Sequence, residues 1–141
     1  MARSSVTASA EDLGKLVLRV ALGVLILLHG FAKVKGGIDP IIGMVTQHGL
    51  PMFVAFGVYV GEVLAPILLV IGLYTRAAAL LVAVNMVFAV ALAHAGQLLS
   101  LAKQGGGWAL ELQGLYFFGA VAVALLGAGR YSLGGAEGRG N

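Results

Sequence analysis

The stretch Arg19-Val-Ala-Leu-Gly-Val-Leu-Ile-Leu-Leu-His-Gly-Phe-Ala-Lys33 is almost wholly apolar, yet it carries an arginine, a histidine and a lysine. As a helix rising about 1.5 Å per residue, it would stand inside the hydrocarbon of a bilayer. A charged side chain there costs roughly 2.5–3.5 kcal/mol on insertion scales, and more by other measures. A fold that keeps Arg19, His29 and Lys33 must pair them on neighbouring helices, leave them at an interface, or use them.

Composition supports the membrane setting. The chain is 60% hydrophobic and only 11% charged, whereas ordinary soluble domains are about a quarter charged. Its net charge of +3 rests mostly on residues flanking the apolar runs. That is the pattern of a topology signal and argues against nucleic acid as a partner. The absence of cysteine excludes disulfides, thiolate metal sites, iron–sulfur clusters and covalent c-type haem within the chain. The first apolar run is longer than a signal-peptide core, and Gly-Phe-Ala-Lys-Val-Lys is a poor cleavage site, so this run is expected to be retained.

Four apolar segments predict four transmembrane spans, at about residues 13–32, 52–74, 77–94 and 108–127. A capping box, Ser9-Ala-Glu11-Asp12, is expected to open the first. Between spans one and two, Asp39-Pro-Ile-Ile-Gly-Met-Val-Thr-Gln-His48 has the start signal of a short interfacial or re-entrant helix. It reads either as a loop anchored at the headgroups or as a lid over the bundle mouth. Thr75-Arg76 is so short a connection that spans two and three must form an antiparallel hairpin. The Gly-rich residues 95–107 prolong span three by a turn or two at most. Residues 128–141 read as a short, polar, mobile tail. The expected fold is a single all-α membrane domain over residues 1–141, an up-down-up-down bundle of four helices.

Lysine and arginine give the orientation. Arg3, Lys15, Arg76, Arg130 and Arg139 fall on one side, and Lys33, Lys35 and Lys103 on the other. The excess predicts both termini in the cytoplasm.

Depth follows from the helical rise. Arg19 lies roughly 9 Å in from the cytoplasmic end of span one, Glu62 about 15 Å from the outer end of span two, and Glu111 about 5 Å inside span four. His29 and Lys33 close the outer end of span one, as His94 closes that of span three. The outer half of the bundle thus holds His29, Lys33, Glu62, Glu111 and His94. At about 100° per residue, Arg19, Gly23, Gly30 and Lys33 share an arc of roughly 80° with His29 beside it, so this face is expected to turn inward. Asn85 and His94 fall on opposite faces of an ideal span three and are not assigned to one site.

Each residue has a structural reading beside the functional one. Arg19 and Glu62 are expected to form an interhelical ion pair, the arginine snorkelling across much of the axial gap. Lys33 alone reads as an interfacial anchor, and His94 as an interfacial histidine. Glu111 needs a partner such as Lys33 or a histidine. Tyr59, Tyr74, Trp108 and Tyr116 read as belt or packing residues, and His48 has no functional argument. As a ligand set, His29, Lys33, Glu62, Glu111 and His94 could in principle serve several chemistries. Haem fits poorly, because the two histidines lie too near one end. A metal site of His29, His94, Glu62 and Glu111 stays open but unsupported, and no metal is assigned. A quinone pocket fits best in kind: an apolar cavity, a histidine or lysine for a carbonyl oxygen, and a carboxylate to relay a proton. With no flavin or nicotinamide fingerprint, an electron donor must be a partner protein.

Specific blocks resemble a known family. They are the early Arg19, then His29-Gly30-Phe-Ala-Lys33; Glu62-Val-Leu-Ala-Pro-Ile-Leu-Leu-Val-Ile-Gly72-Leu-Tyr-Thr-Arg76; His94; Glu111; and Gly127-Ala-Gly129-Arg-Tyr-Ser132-Leu. Together these resemble the DoxX family of small four-helix bacterial membrane proteins, over about residues 16–133. Where many members carry an aspartate after Ser-Leu, this chain has Gly134, which weakens any role for a tail acid. The resemblance implies a multi-pass protein of the bacterial cytoplasmic (inner) membrane. Some members are subunits of a thiosulfate:quinone oxidoreductase, and others are tied to redox or oxidative-stress complexes. The expectation is therefore a subunit of, or accessory to, a quinone-linked membrane oxidoreductase, with quinone the candidate cofactor. The alternative is a non-enzymatic scaffold or anchor whose intramembrane charges are structural. Lipid, a redox partner protein and a second copy of the chain are the partners left open.

Overall fold

The computed structural model describes residues 5–103 and 105–141; Arg3, used above for orientation, lies outside them. Helix α1, Ser5–Gly36, is already running where the capping box was expected. Ser9 and Glu11 therefore sit in the body of the helix. Asp12, buried there, turns to the tail instead: its Oδ1 accepts the Arg130 backbone N–H at 3.2 Å.

The chain leaves α1 through Gly37 (φ +82°) into α2, Asp39–Gln47, with Pro40 in its first turn. This helix is not merely an anchored loop. Its Val45 is buried with Ile38 against Ala55 and Val58 at the start of the second long helix.

That second helix, Met52–Ile71, changes pitch along its length. It opens as a tight 3₁₀ turn, Met52–Phe56, relaxes into one α-turn, α3 (Gly57–Tyr59), widens further to a π-turn at Val60–Leu64, and finishes as α4, Ala65–Ile71. Pro66 supplies a cause for the π-turn. It has no N–H to offer the carbonyl four residues back, which belongs to Glu62, so the regular ladder cannot pass through this point.

Gly72 (φ +74°) ends α4 in the left-handed conformation, and α5 follows as Thr75–Ala93. The last helix, α6, is Glu111–Leu126. It starts three residues later than the sequence suggested, because Trp108 is held in an antiparallel bridge with Leu101 and its indole N–H donates to the Leu98 carbonyl at 2.8 Å. Among the described residues, three helices are long and apolar enough to cross a membrane, Ala8–Gly36, Met52–Ile71 and Thr75–Ala93, while Glu111–Leu126 is shorter.

The long helices pack in a ring: α1 on α4, α4 on α5, α5 on α6 and α6 back on α1. Small side chains set the spacing. Ala65, Ala78, Ala79, Ala83 and Ala120 are all buried in the shared core with Leu22, Ile26, Leu69, Val82 and Val123. Where lipid is as apolar as leucine, close packing of small residues supplies the attraction that water exclusion supplies elsewhere. Gly23 lies against Pro66 and Val70, whereas Gly30, seven residues on, lies against Glu62, so α1 and the second helix run antiparallel.

The tail is ordered by hydrogen bonds across one end of the bundle. Leu133 and Gly134 donate their N–H groups to the carbonyls of Ile71 and Gly72 at 3.1 and 3.0 Å. The Asn141 side chain accepts the Thr75 N–H at 2.9 Å, and the Arg76 guanidinium reaches the Ala124 carbonyl at 2.8 Å. These bonds satisfy groups that helix ends leave open. The expected mobile tail is thus a latch.

Candidate functional site

The carboxylate of Glu62, buried within the π-turn, is held from two sides. Lys33 Nζ of α1 forms an ion pair with Oε2, and Asn85 Nδ2 of α5 donates to Oε1 at 3.2 Å. Two glycines make this approach geometrically possible. At Gly30 a Cβ would overlap the Glu62 carbonyl outright, so α1 can come close enough for Lys33 to reach Glu62 only because Gly30 has none. At Gly61 a Cβ would lie 2.5 Å from Cβ and Cγ of Asn85, so glycine is what seats the amide.

The expected Arg19–Glu62 pair is therefore corrected. Arg19 is 1% exposed and points the other way, toward the tail. One guanidinium nitrogen donates to the carbonyls of Leu69 and Val70, the latter at 2.9 Å, and the other to the Tyr131 carbonyl at 2.7 Å. The Leu69 and Val70 carbonyls belong to the last turn of α4, which lacks intrahelical donors and carries the negative end of the helix dipole. A search for opposite charges overlooks them. Lys33, read alone as an interfacial anchor, is the cation that Glu62 uses.

Two cavities adjoin this group. A cavity of about 550 Å³ lies between α2, the second helix and α5. Its walls are mostly apolar, including Met44, Val58, Val84 and Phe88, and its polar lining is Lys33, Glu62, Asn85 and His94. Because Met44 and Val45 of α2 form part of its wall, the short helix covers a cavity as a lid would. A second cavity of about 230 Å³ lies between α1, α5 and α6, and His29, Lys33, Glu62, His94, Gln113 and Tyr116 are its polar lining. The His29 and Tyr116 rings meet edge to face at 5.8 Å between centroids, with Nε2 and the phenol oxygen 3.4 Å apart.

His94 lines both cavities, and its Nδ1 is buried without a hydrogen-bond partner. Asn85 and His94, placed on opposite faces of an ideal helix and not assigned to one site, both line the larger cavity. The helical wheel failed at its last step. His94 caps α5 with φ −135°, outside helical geometry, so the angle of an ideal helix does not reach it. Glu111 departs from the predicted site altogether. It is exposed, lies beside Gly107 and lines neither cavity. The metal set of His29, His94, Glu62 and Glu111 is thus not assembled, and among the described residues no three His, Cys, Asp or Glu groups converge for a metal ion.

Asn85, Gly61, Gln113 and Tyr116 escaped the sequence reading of the site. For Asn85 and Gly61 a signal existed: the one internal polar residue of span three and the glycine adjoining a buried acid. Nothing in the spacing marked Gln113 or Tyr116, which depend on how α6 is rotated.

Long apolar helices packed through small residues around a few paired charges define a helical membrane protein. The DoxX family model matches residues 14–95, more than half of the chain, and the chain belongs to this family. The matched region contains Arg19, Lys33, Glu62, Asn85 and His94; α6 and the Gly127–Leu133 block, counted above toward the resemblance, fall beyond it. A Bacillus subtilis protein named "Putative oxidoreductase CatD" is 32% identical over 79 residues, covering 56% of this chain and 58% of the relative's own length. An uncharacterized protein of Haemophilus influenzae is 36% identical over 115 residues, 77% of this chain and 84% of that one. No solved structure matches the chain.

Proposed function

We propose that this protein is the membrane-embedded component of a quinone-linked oxidoreductase system, with the quinone headgroup seated against Lys33, Glu62 and Asn85 in the 550 Å³ cavity. The observation that carries this is the cavity's lining, mostly apolar but with an ammonium, an amide, a carboxylate and an unsatisfied imidazole among it. Its volume is within the range of small-molecule sites. An isoprenoid tail suits the apolar walls. The donors Lys33 Nζ and Asn85 Nδ2 suit a carbonyl oxygen, and Glu62 suits the proton that quinone chemistry moves. The name of the Bacillus relative points to the same class of reaction. Electrons must come from a partner protein, because the chain carries no flavin or nicotinamide motif. In this reading α6 is the fourth span of an up-down-up-down bundle in the bacterial inner membrane. Both termini face the cytoplasm, as the excess of Lys and Arg at that end supports, and the ends of α1 and α5 that carry Lys33 and His94 face outward.

The test is direct. Protein purified in mild detergent is extracted with organic solvent and assayed for quinone, then loaded with decylubiquinone. Near-stoichiometric quinone, lost in an Asn85→Leu variant with unchanged helical content, supports the reading. A folded wild-type protein that retains no quinone at any loading refutes it.

One observation favours a second reading, a membrane scaffold for a partner complex. Lys33 and Glu62 neutralise each other inside the bundle, as purely structural charges do. The exchanged pair Lys33→Glu with Glu62→Lys separates the two. A scaffold keeps its partner and its stability, whereas a quinone site loses its ligand.

A further inference from the structure

The two cavities meet at one group of side chains. Both are lined by Lys33, Glu62, Ala89 and His94. The partition between an apolar chamber and a polar one is therefore mainly an ion pair and an imidazole, not a layer of leucines. His94 contributes a buried Nδ1 with no partner in the protein, and leaving such an atom unsatisfied costs about 1–3 kcal/mol. Water or a ligand is required to complete it. Also lining the polar cavity, His29 and Tyr116 stand at hydrogen-bonding separation, 3.4 Å. Groups able to hold or pass a proton thus line that cavity from Glu62 to the ends of α1 and α5.

We propose that the polar cavity is the proton route of the apolar one: Glu62 exchanges a proton with a quinone headgroup on its apolar side, and His94 connects Glu62 to the aqueous phase beyond Lys33. The proposal rests on the quinone reading above. Reduction of the quinone takes two electrons from a partner dehydrogenase and two protons, each carbonyl becoming a hydroxyl. A proton from water in the polar cavity first neutralises the ion-paired Glu62 carboxylate by way of His94. It reaches the nearer carbonyl oxygen as that Glu62 O–H breaks, and the farther oxygen takes the second proton from water on the side of the headgroup away from Glu62. The carboxylate left behind is reprotonated from water in the polar cavity by way of His94. Besides facing the headgroup, Lys33 holds the carboxylate between the chambers. A carboxyl group facing only lipid could not exchange protons with water, and the second cavity removes that obstacle.

The test uses the full chain in lipid nanodiscs loaded with decylubiquinone, an electrode standing in for the dehydrogenase. Quinone retention, proton uptake on a reduction step and the carboxyl infrared band are read together. Because the chain has no cysteine, Gln113→Cys places a lone thiol in the polar cavity, where a charged methanethiosulfonate can plug it. The expected result is retained quinone with proton uptake slowed about a hundredfold relative to the unplugged variant. Glu62→Gln protein that still holds quinone should lose the carboxyl band and slow by a similar factor. Should Glu62→Gln fail to fold or to hold quinone, the plugged variant decides alone. Retained quinone with uptake unaffected by the plug overturns the relay and leaves the quinone site standing. Failure of the wild-type protein to hold decylubiquinone overturns both.

Discussion

Gly30 of α1 rests directly on the main-chain carbonyl of Glu62, with no room for even a methyl group between them. The obstacle is backbone, which cannot step aside as a side chain can. Gly30→Ala should therefore separate α1 from the second helix, lengthen the Lys33–Glu62 contact and destabilise the fold by about 1–3 kcal/mol or more. Thermal unfolding in detergent measures it. A variant as stable as wild type would show that the two helices do not pack this closely.

Gly61 makes a contrasting case. A Cβ there would meet the Asn85 side chain, not backbone. Gly61→Ala should destabilise the protein when Asn85 is present and recover most of the loss when combined with Asn85→Ala. Independent, additive effects of the two substitutions would contradict the contact.

For Lys33 and Glu62 the expected signature is strong coupling. Removing either partner strands a charge in the bundle, at a cost of about 3–5 kcal/mol for a fully buried pair. The Lys33 side chain is 27% exposed, which favours the lower end. Replacing both with leucine should cost far less than the sum of the single changes. A double-mutant cycle with no coupling would mean that the pair does not form in the membrane.

His94→Phe tests a trade between stability and function. The change removes an unsatisfied buried nitrogen and adds apolar volume beside two cavities. Stability should hold or rise by about 1–3 kcal/mol, while binding of decylubiquinone weakens. Loss of stability with unchanged binding would assign His94 to the scaffold.

Arg19 should act on the tail and not on the site. Arg19→Met removes the donors to Val70 and Tyr131, so residues 128–141 should become sensitive to limited proteolysis while quinone content is unchanged. Protease resistance equal to wild type would rule the latch out.

Much of this was written in the residues. Apolar runs with sharp breaks fixed where helices lie, and the depth of Glu62 marked it as a buried acid in need of a cation. Its partner was less legible. Arg19 and Lys33 lie on one face of α1 on opposite sides of the Glu62 level, and a rise per residue measures height without saying which way a long side chain leans. The choice was settled by carbonyls at the end of α4, acceptors that every sequence possesses and none displays. The start of α6 was hidden in the same way. Trp108 and Glu111 look like the first turn of a span until a backbone bridge between Leu101 and Trp108 claims the tryptophan.

The π-turn at Val60–Leu64 has a consequence for comparing relatives. Widening an α-helix to π adds one residue over nearly the same axial length, equivalent to an insertion of one. A relative that aligns here with a single-residue deletion would run straight through as α-helix. The part of its helix beyond the gap would be turned by about 100° relative to the part before it. It could keep every apolar residue and the whole fold, yet could not keep both Glu62 facing Lys33 and Leu69 facing Arg19. A one-position gap therefore offers a simple mark by which chains that retain this polar centre can be told from chains that share only the bundle.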